Sequence, residues 1–345
     1  MTAFQPKYTI SSKLLGNIKR IATLIYDLNH KQKLPKVVLM ELLKQAREIS
    51  AHASTSIEGN PLPLTEVKRI IKNHPRHVRD SEREVLNYNK ALICLDKLTK
   101  KKDAKIDLSL VLDIHESVTD GLISVSRCGK LRQEAVFVND PLKRKTVYWP
   151  PDHQDVKILM KDLFNYISKN KKEVDPLILA GIFHKQFVII HPFMDGNGRT
   201  VRLATKVLLS AMGLNTFNLF SFENYYNQNV SKYFENVGVH GNYYDIYQKI
   251  NFTSWLEYFT DGIIDELLRV SKVFEKKSVT PKTILKAHHQ KILDYIKVHD
   301  FITDRIYSTL TQRAKPTRNQ DFNRLIDRGM IERIGKGKAT IYRLK

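Results

Sequence analysis

Between His191 and Arg202 the chain places a histidine, a carboxylate, two glycines and two arginines close together: His191-Pro192-Phe193-Met194-Asp195-Gly196-Asn197-Gly198-Arg199, then Arg202. A neutral imidazole, with an ordinary pKa of about 6.5, can accept a proton from a hydroxyl near neutral pH. Asp195 is a hard oxygen ligand of the kind Mg²⁺ takes alongside phosphate oxygens and water. The apolar run Phe183 to Ile190 reads as a buried helix, and Pro192 prevents its continuation, so a loop must follow. Gly196 and Gly198 allow close backbone approach, and the run Thr200 to Met212 reads as a helix. The loop therefore feeds a helix N-terminus, whose free N–H groups and positive dipole end favour an anion such as phosphate. Arg199 and Arg202, three residues apart on the first turns, suit a clamp for two further phosphates. Taken singly, His191 is an ordinary buried histidine and Asp195 a helix cap. Their company makes the case for chemistry.

A second segment, Ser54-Thr55-Ser56-Ile57-Glu58-Gly59-Asn60-Pro61, closes another helical stretch, with Gly59 placed to cap it. An acid at a helix C-terminus opposes the dipole, so Glu58 calls for a compensating cation.

The elements that must position these residues are mostly helical. Apolar residues recur at helical spacing along Leu14, Leu15, Ile18, Ile21, Leu24, Ile25 and Leu28. The same spacing predicts helices near 36–53, 65–73, 81–98, 107–122, 154–169, 175–189, 197–212 and 253–275. The stretch Ala135 to Pro151 differs. There Val136, Val138, Val147 and Tyr148 flank Asn139-Asp140-Pro141, which predicts one β-hairpin. Polar Lys276 to Pro281 reads as a linker. The remainder predicts helices at Leu285–Val298, Thr303–Thr309 and Arg318–Arg328, then a hairpin turning at Gly335 and Gly337, an arrangement that resembles a winged helix.

The chain's 57 Lys and Arg against 36 Asp and Glu give +21, a field that favours nucleotides, nucleic acid or acidic surfaces without choosing among them. No run is long and apolar enough to span a bilayer, and no export signal opens the chain. Two cysteines, Cys94 and Cys128, without metal-ligand spacing fit a reducing compartment, so a cytoplasmic location is expected.

The nine residues His191 to Arg199 with Arg202 resemble the Fic-domain signature, His-x-Phe-x-Asp/Glu-Gly-Asn-Gly-Arg-x-x-Arg, without a departure. The likeness extends from about Ala51 to Phe259, and Gly129-Lys-Leu-Arg132 is similar to the family's Gly-x-x-Arg segment. It implies a helical Fic core, placed at 101–275 after a helical region at 1–100; the winged-helix-like module at 279–345 lies beyond the likeness. It implies transfer of AMP from Mg-ATP to a Ser, Thr or Tyr hydroxyl of a target protein or of the chain itself. His191 would be the base and Asp195 the metal ligand, with Gly196, Asn197, Gly198, Arg199 and Arg202 around the phosphates. The hairpin would be the flap that pairs with an extended target, through Val136, Val138 and Tyr148. Ser54-x-x-x-Glu58-Gly59 resembles the family's inhibitory motif, whose glutamate pairs with the second arginine, here Arg202. Asn229-x-x-x-Tyr233-Phe234 is similar to the family's adenine-side Asn-x-x-x-Tyr-Tyr and departs from it at Phe234. Two other readings stay open: removal of AMP with Glu58 acting on water, and a nucleotide-sensing DNA-binding regulator. Partners left open are the target protein, DNA or protein at the C-terminal module, and a second copy of the chain; no membrane is expected.

Overall fold

The computed structural model describes residues 4–31, 36–75, 77–99, 106–140, 145–211, 221–276, 285–335, 337 and 340–344. The linker expected at 276–281 lies outside them after Lys276, as do Pro141 and Met212. Two compact units emerge: Met1–Asn29 with Ala46–Val270, and His30–Gln45 with Ser271–Lys345. The first thus takes in both the segment Ser54 to Asn60 and the signature, while His30–Gln45, within the region expected at 1–100, falls in the second.

The first elements are α1 (Ser12–Lys31), α2 (Lys36–Ile57), α3 (Leu64–Asn73), α4 (Asp80–Leu98) and α5 (Leu108–Thr119). After β1 (Val138–Asp140) and β2 (Lys145–Trp149) come α6 (His153–Asn170), α7 (Pro176–Ile190) and α8 (Asn197–Ala211). There follow α9 (Phe222–Gln228), α10 (Val230–Val237), β3 (Gly241–Asn242), α11 (Tyr243–Ile246) and α12 (Thr253–Lys276). Among the described residues, no helix is long and apolar enough to cross a membrane.

Helix α7 is the axis of the first unit. Asp175 caps it by accepting from Leu177 N–H at 2.8 Å, Pro176 fits its first turn, and nearly every side chain it carries is buried. Continuous apolarity rather than a stripe is what a helix surrounded on all sides requires. It packs against α6 and α8, and α8 packs in turn on α4 and α5. On α9, Glu223 is fully buried but satisfied: Tyr88 Oη donates to it at 2.9 Å, Ser221 Oγ at 2.7 Å, and Lys206 Nζ lies 2.9 Å away. That network fastens α9 to α4 and α8.

The predicted hairpin pairs Val138 with Tyr148, Asn139 with Thr146 and Asp140 with Lys145. The short strand β3, which lay outside the hairpin reading, joins β2 in parallel and completes a sheet of order β1-β2-β3. Its two residues are too few for a period to register in sequence.

The second unit contains α13 (Ala287–His299), β4 (Phe301–Ile302), α14 (Asp304–Leu310), α15 (Lys315–Asp327), β5 (Ile331–Ile334) and β6 (Ile341–Leu344). Its strands form an antiparallel sheet of order β4-β6-β5, one strand more than the sequence reading held. Ile292, Ile296, Ile302, Phe322 and Leu325 form its core, and the Phe322 and Tyr342 rings stack at 3.9 Å.

Candidate active site

The end of α7 decides the orientation of His191. Its backbone takes the left-handed conformation, φ 51°, while its N–H still donates to Phe187 O at 3.0 Å. A left-handed residue other than glycine is strained and persists where surrounding structure fixes it. Arg132 supplies much of that fixing: its Nε donates to His191 O at 2.8 Å and its backbone N–H to Pro192 O at 2.9 Å. Arg132 also donates to Glu134 O at 3.0 Å and to Pro151 O, tying the loop to both ends of the hairpin region.

The His191 ring lies with Nδ1 3.3 Å from Val188 O. A carbonyl can only accept, so Nδ1 carries the proton and Nε2 keeps its lone pair. Burial pushes the pKa down to about 4, so the ring is neutral at physiological pH. A neutral imidazole with Nε2 unprotonated is a general base.

The loop after His191 is braced from beneath. Phe193 is fully buried with its ring stacked on His115 at 3.7 Å. His115 Nδ1 accepts from Gly129 N–H at 3.0 Å, leaving Nε2–H to donate to Asp195 O, also at 3.0 Å. Burial lowers its pKa to about 4, so it too is neutral. Asn197 closes the turn in both directions, donating to Phe193 O and accepting from Phe193 N–H, each at 2.9 Å. Gly196 has φ +77°, and a Cβ there would stand 2.8 Å from Thr119 Cγ2, so only glycine fits. The sequence contained no signal for His115, which sits among apolar residues of α5 and reads as core.

The loop delivers α8 with its first N–H groups lacking intrahelical acceptors, as at any helix start. Beside them stand the two arginines, each already held by acids. Arg199 Nη1 lies 2.8 Å from Glu84 Oε1, and its Nη2 lies 3.1 and 3.2 Å from the two oxygens of Asp195. Asn60 Nδ2 in turn donates to Glu84 Oε2 at 2.6 Å. Arg202 is 0 % exposed; its Nε donates to Ser54 Oγ at 2.7 Å, and its Nη2 to Ser54 O at 2.9 Å and Glu58 Oε1 at 2.7 Å. Burial works against its charge, but the Glu58 carboxylate together with Tyr233 and Tyr88 outweighs this and holds the guanidinium above its ordinary pKa. Arg202 Nη1 is buried without a hydrogen-bond partner among the described residues.

Glu58 does more than pair with Arg202. A Cβ on Gly198 would stand 2.1 Å from Glu58 Oε1, so the carboxylate rests directly on the first turn of α8. It occupies a place where the helix N-terminus favours an anion. Gly59, at φ +94°, turns the chain away immediately afterwards.

Not every expected residue faces this site. Tyr148 was expected on the docking side of the flap; it is 3 % exposed and its hydroxyl donates to Ile189 O at 2.8 Å, anchoring β2 to α7. Successive strand residues point to opposite faces, so the exposed aromatic there is its neighbour Trp149. Val136 lies just before β1, and both it and Val138 are half-buried. Tyr233 stacks on Tyr226 at 4.5 Å and is hydrogen-bonded to His184 at 3.1 Å, which leaves no free face for a base; Phe234 is the exposed ring of the pair. The Asn229 side chain caps α10, accepting from Lys232 N–H at 3.0 Å.

The donor set fits a magnesium nucleotide. The Asp195 side chain is 58 % exposed, so its carboxylate keeps open coordination positions despite Arg199. Fold and site together define a helical protein whose neutral histidine base adjoins an arginine-flanked helix N-terminus. Residues 105–209 match the Fic/DOC family, and the chain carries a Fic domain.

Among curated relatives, the protein adenylyltransferase Fic of Nematostella vectensis is 29 % identical over 175 residues, covering 50 % of this chain and 39 % of the relative. The protein adenylyltransferase fic-1 of Caenorhabditis elegans is 26 % identical over 192 residues, 54 % of this chain and 36 % of the relative. The match thus spans little more than a third of those proteins. Among solved structures, a Fic family protein from Desulfovibrio desulfuricans G20 aligns over 99 % of this chain and 98 % of its own, with TM-score 0.66 and 21 % identity. Fic-1 of C. elegans aligns over 78 % of this chain and 75 % of its own, with TM-score 0.61 and 20 % identity. At these identities the likeness establishes the fold.

Proposed function

We propose that this chain is a protein adenylyltransferase that moves AMP from Mg-ATP to a hydroxyl side chain of a target protein, and that Glu58 restrains it. The observation that carries the reading is a neutral His191, Nε2 unprotonated, in a loop that delivers the N-terminus of α8 with Asp195 and two arginines beside it. His191 Nε2 takes the proton of the acceptor hydroxyl as the oxygen attacks the α-phosphorus. A new P–O bond forms, the bond to the β-phosphate breaks, and pyrophosphate leaves. Asp195 would hold Mg²⁺, which offsets charge on the leaving phosphates. The α8 N–H groups, Arg199 and Arg202 would hold the phosphates themselves.

In the state described here Arg202 is engaged. Glu58 takes one of its nitrogens and lies on the first turn of α8, in competition with a terminal phosphate for both. ATP entering such a site binds with its phosphates displaced, and displacement of the α-phosphate removes in-line attack. The open edge of β1 suits backbone pairing with an extended segment of the target.

Two preparations of ATP, labelled at the α- or the γ-phosphate, test the reading. Label from the first alone should appear on protein, in the chain itself or in a lysate. Transfer from the γ-position would indicate a kinase, and no transfer by wild type or by the Glu58→Gly variant would leave a nucleotide-sensing role. The hydrolytic reading draws support from the 28 % exposure of the Glu58 side chain, which keeps water within its reach. It predicts that Glu58→Gly abolishes removal of AMP from a labelled protein.

A further inference from the structure

Helix α15 presents two faces of opposite character. Asp321, Phe322 and Leu325 point into the core of the second unit, and Arg318 is tied to Asp304 by bonds of 2.8 and 3.0 Å. On the outer face Lys315, Asn319 and Asn323 form one exposed stripe, with Gln320 and Arg324 exposed on the next. The amides of Asn319, Gln320 and Asn323 are not hydrogen-bonded within the chain among the described residues. Apart from Pro316, no apolar side chain interrupts them.

That composition discriminates between classes of partner. Protein interfaces draw their affinity from a desolvated centre of aromatic and apolar anchors, and this face has none. The large exposed apolar side chains of this unit, Val298 and Phe301, lie on α13 and β4 instead. Duplex DNA asks for what α15 does offer. Its major groove admits a helix, its adenines present a donor and acceptor pair that Asn and Gln match, and its phosphates attract exposed Lys and Arg. The charge agrees, with 15 Lys and Arg against 6 Asp and Glu from Val279 to Lys345. Arg333, exposed on β5, adds a further cation.

We propose that the second unit binds double-stranded DNA by laying α15 in the major groove, with Asn319, Gln320 and Asn323 at base edges and Lys315 and Arg324 on phosphates. Binding is separate from the transfer chemistry and does not rest on it.

The test uses the full chain and a labelled mixed-sequence duplex roughly three helical turns long, titrated across salt concentrations. Each phosphate contact contributes about 0.9 to the slope of log affinity against log salt. Lys315→Ala with Arg324→Ala should lower that slope by about 1.8, whereas Lys171→Ala with Lys172→Ala, an equal loss of charge elsewhere, leaves it unchanged. Selection from a random duplex pool should enrich a sequence with wild type, and Asn319→Ala with Asn323→Ala should lose the enrichment while keeping mixed-sequence affinity. All these side chains are exposed, so melting temperatures should match wild type and confirm folding. Equal slope changes for the two charge pairs would mean general attraction to a basic chain and would overturn the proposal, as would absence of enrichment by wild type. So would displacement of the duplex by polyglutamate at equal charge concentration, which would assign the face to acidic protein.

Discussion

The loop from His191 to Arg199 and the segment from Ser54 to Asn60 are both short polar stretches at helix ends, but they are built to opposite purposes. The loop is braced by neutral groups, His115, Asn197 and Phe193, with Arg132 pinning its backbone, and this leaves His191 Nε2 and much of Asp195 free for a substrate. The segment uses its polar groups up. Ser54 and Glu58 take Arg202 directly, and Asn60 reaches Arg199 through Glu84. The loop is held mainly through backbone carbonyls and stacked rings, whereas the segment meets the Arg202 guanidinium with a carboxylate. Under the proposed function this difference matters, because a carboxylate beside Arg202 would compete with a phosphate for the same cation.

The strongest way to break this contrast is to remove the imidazole that the loop leaves free. His191→Ala should lower transfer by about 10² to 10⁴-fold, the usual worth of a general base, while ATP binding and melting temperature stay close to wild type. Retention of wild-type labelling would move the base elsewhere.

Next in size is release of the restraint. Glu58→Gly should raise the initial rate of ATP-dependent labelling by on the order of 10²-fold, since small misplacements of a reacting phosphate cost about that much. Arg202→Ala also breaks the pair but removes the clamp, so the double variant should follow the arginine change. A Glu58→Gly protein no faster than wild type on any acceptor, itself included, would reduce Glu58 to a helix-end residue or a hydrolytic one.

A smaller effect sharpens the indirect branch. Glu84→Gln leaves the buried Arg199 guanidinium with Asp195 as its remaining anionic partner, and should cost about 1–3 kcal/mol of stability by calorimetry. An unchanged melting temperature would show that Asp195 suffices and that Asn60 exerts no hold on Arg199.

The smallest expected change is with pH. The His191 pKa lies below its ordinary value, so the base form persists as pH falls and is lost only near about 4. Between about pH 5 and 8 this group should leave kcat/KM nearly flat, whereas a histidine at its ordinary value would halve the rate near about 6.5. A midpoint near the ordinary value would mean the ring is better solvated than its place at the end of α7 indicates.

Much of the helical framework was legible because period and breakers are local properties. The helices around His191 fall where apolar spacing, Pro192 and Gly196 set them, and Phe193, the apolar member of the signature, is buried as its type suggests. The adenine side was not. Tyr233 and Phe234 are adjacent aromatics, and nothing in their order says which turns inward; His184 and Tyr226, distant or unremarkable in sequence, settle it by holding Tyr233 in the core. Tyr148 misled for the same reason. The alternation of a strand was evident, but which face met α7 was not.

By itself the sequence determined the contiguous part of the candidate site: a histidine, a carboxylate, a glycine turn and two arginines at the start of a helix. Chain adjacency fixes such groups within a few ångströms of one another, whatever the rest of the chain does. It also implied, through an acid at a helix C-terminus, that Glu58 needed a cation. The tertiary structure brings Glu58 to Arg202, 144 positions away, a pairing that only the family resemblance had implied, and it alone set Glu84, Asn60 and His115 around the loop. Those contacts depend on how α2, α4 and α5 pack against α8. Packing is decided by the sum of many apolar contacts, in which no single polar residue announces its partner.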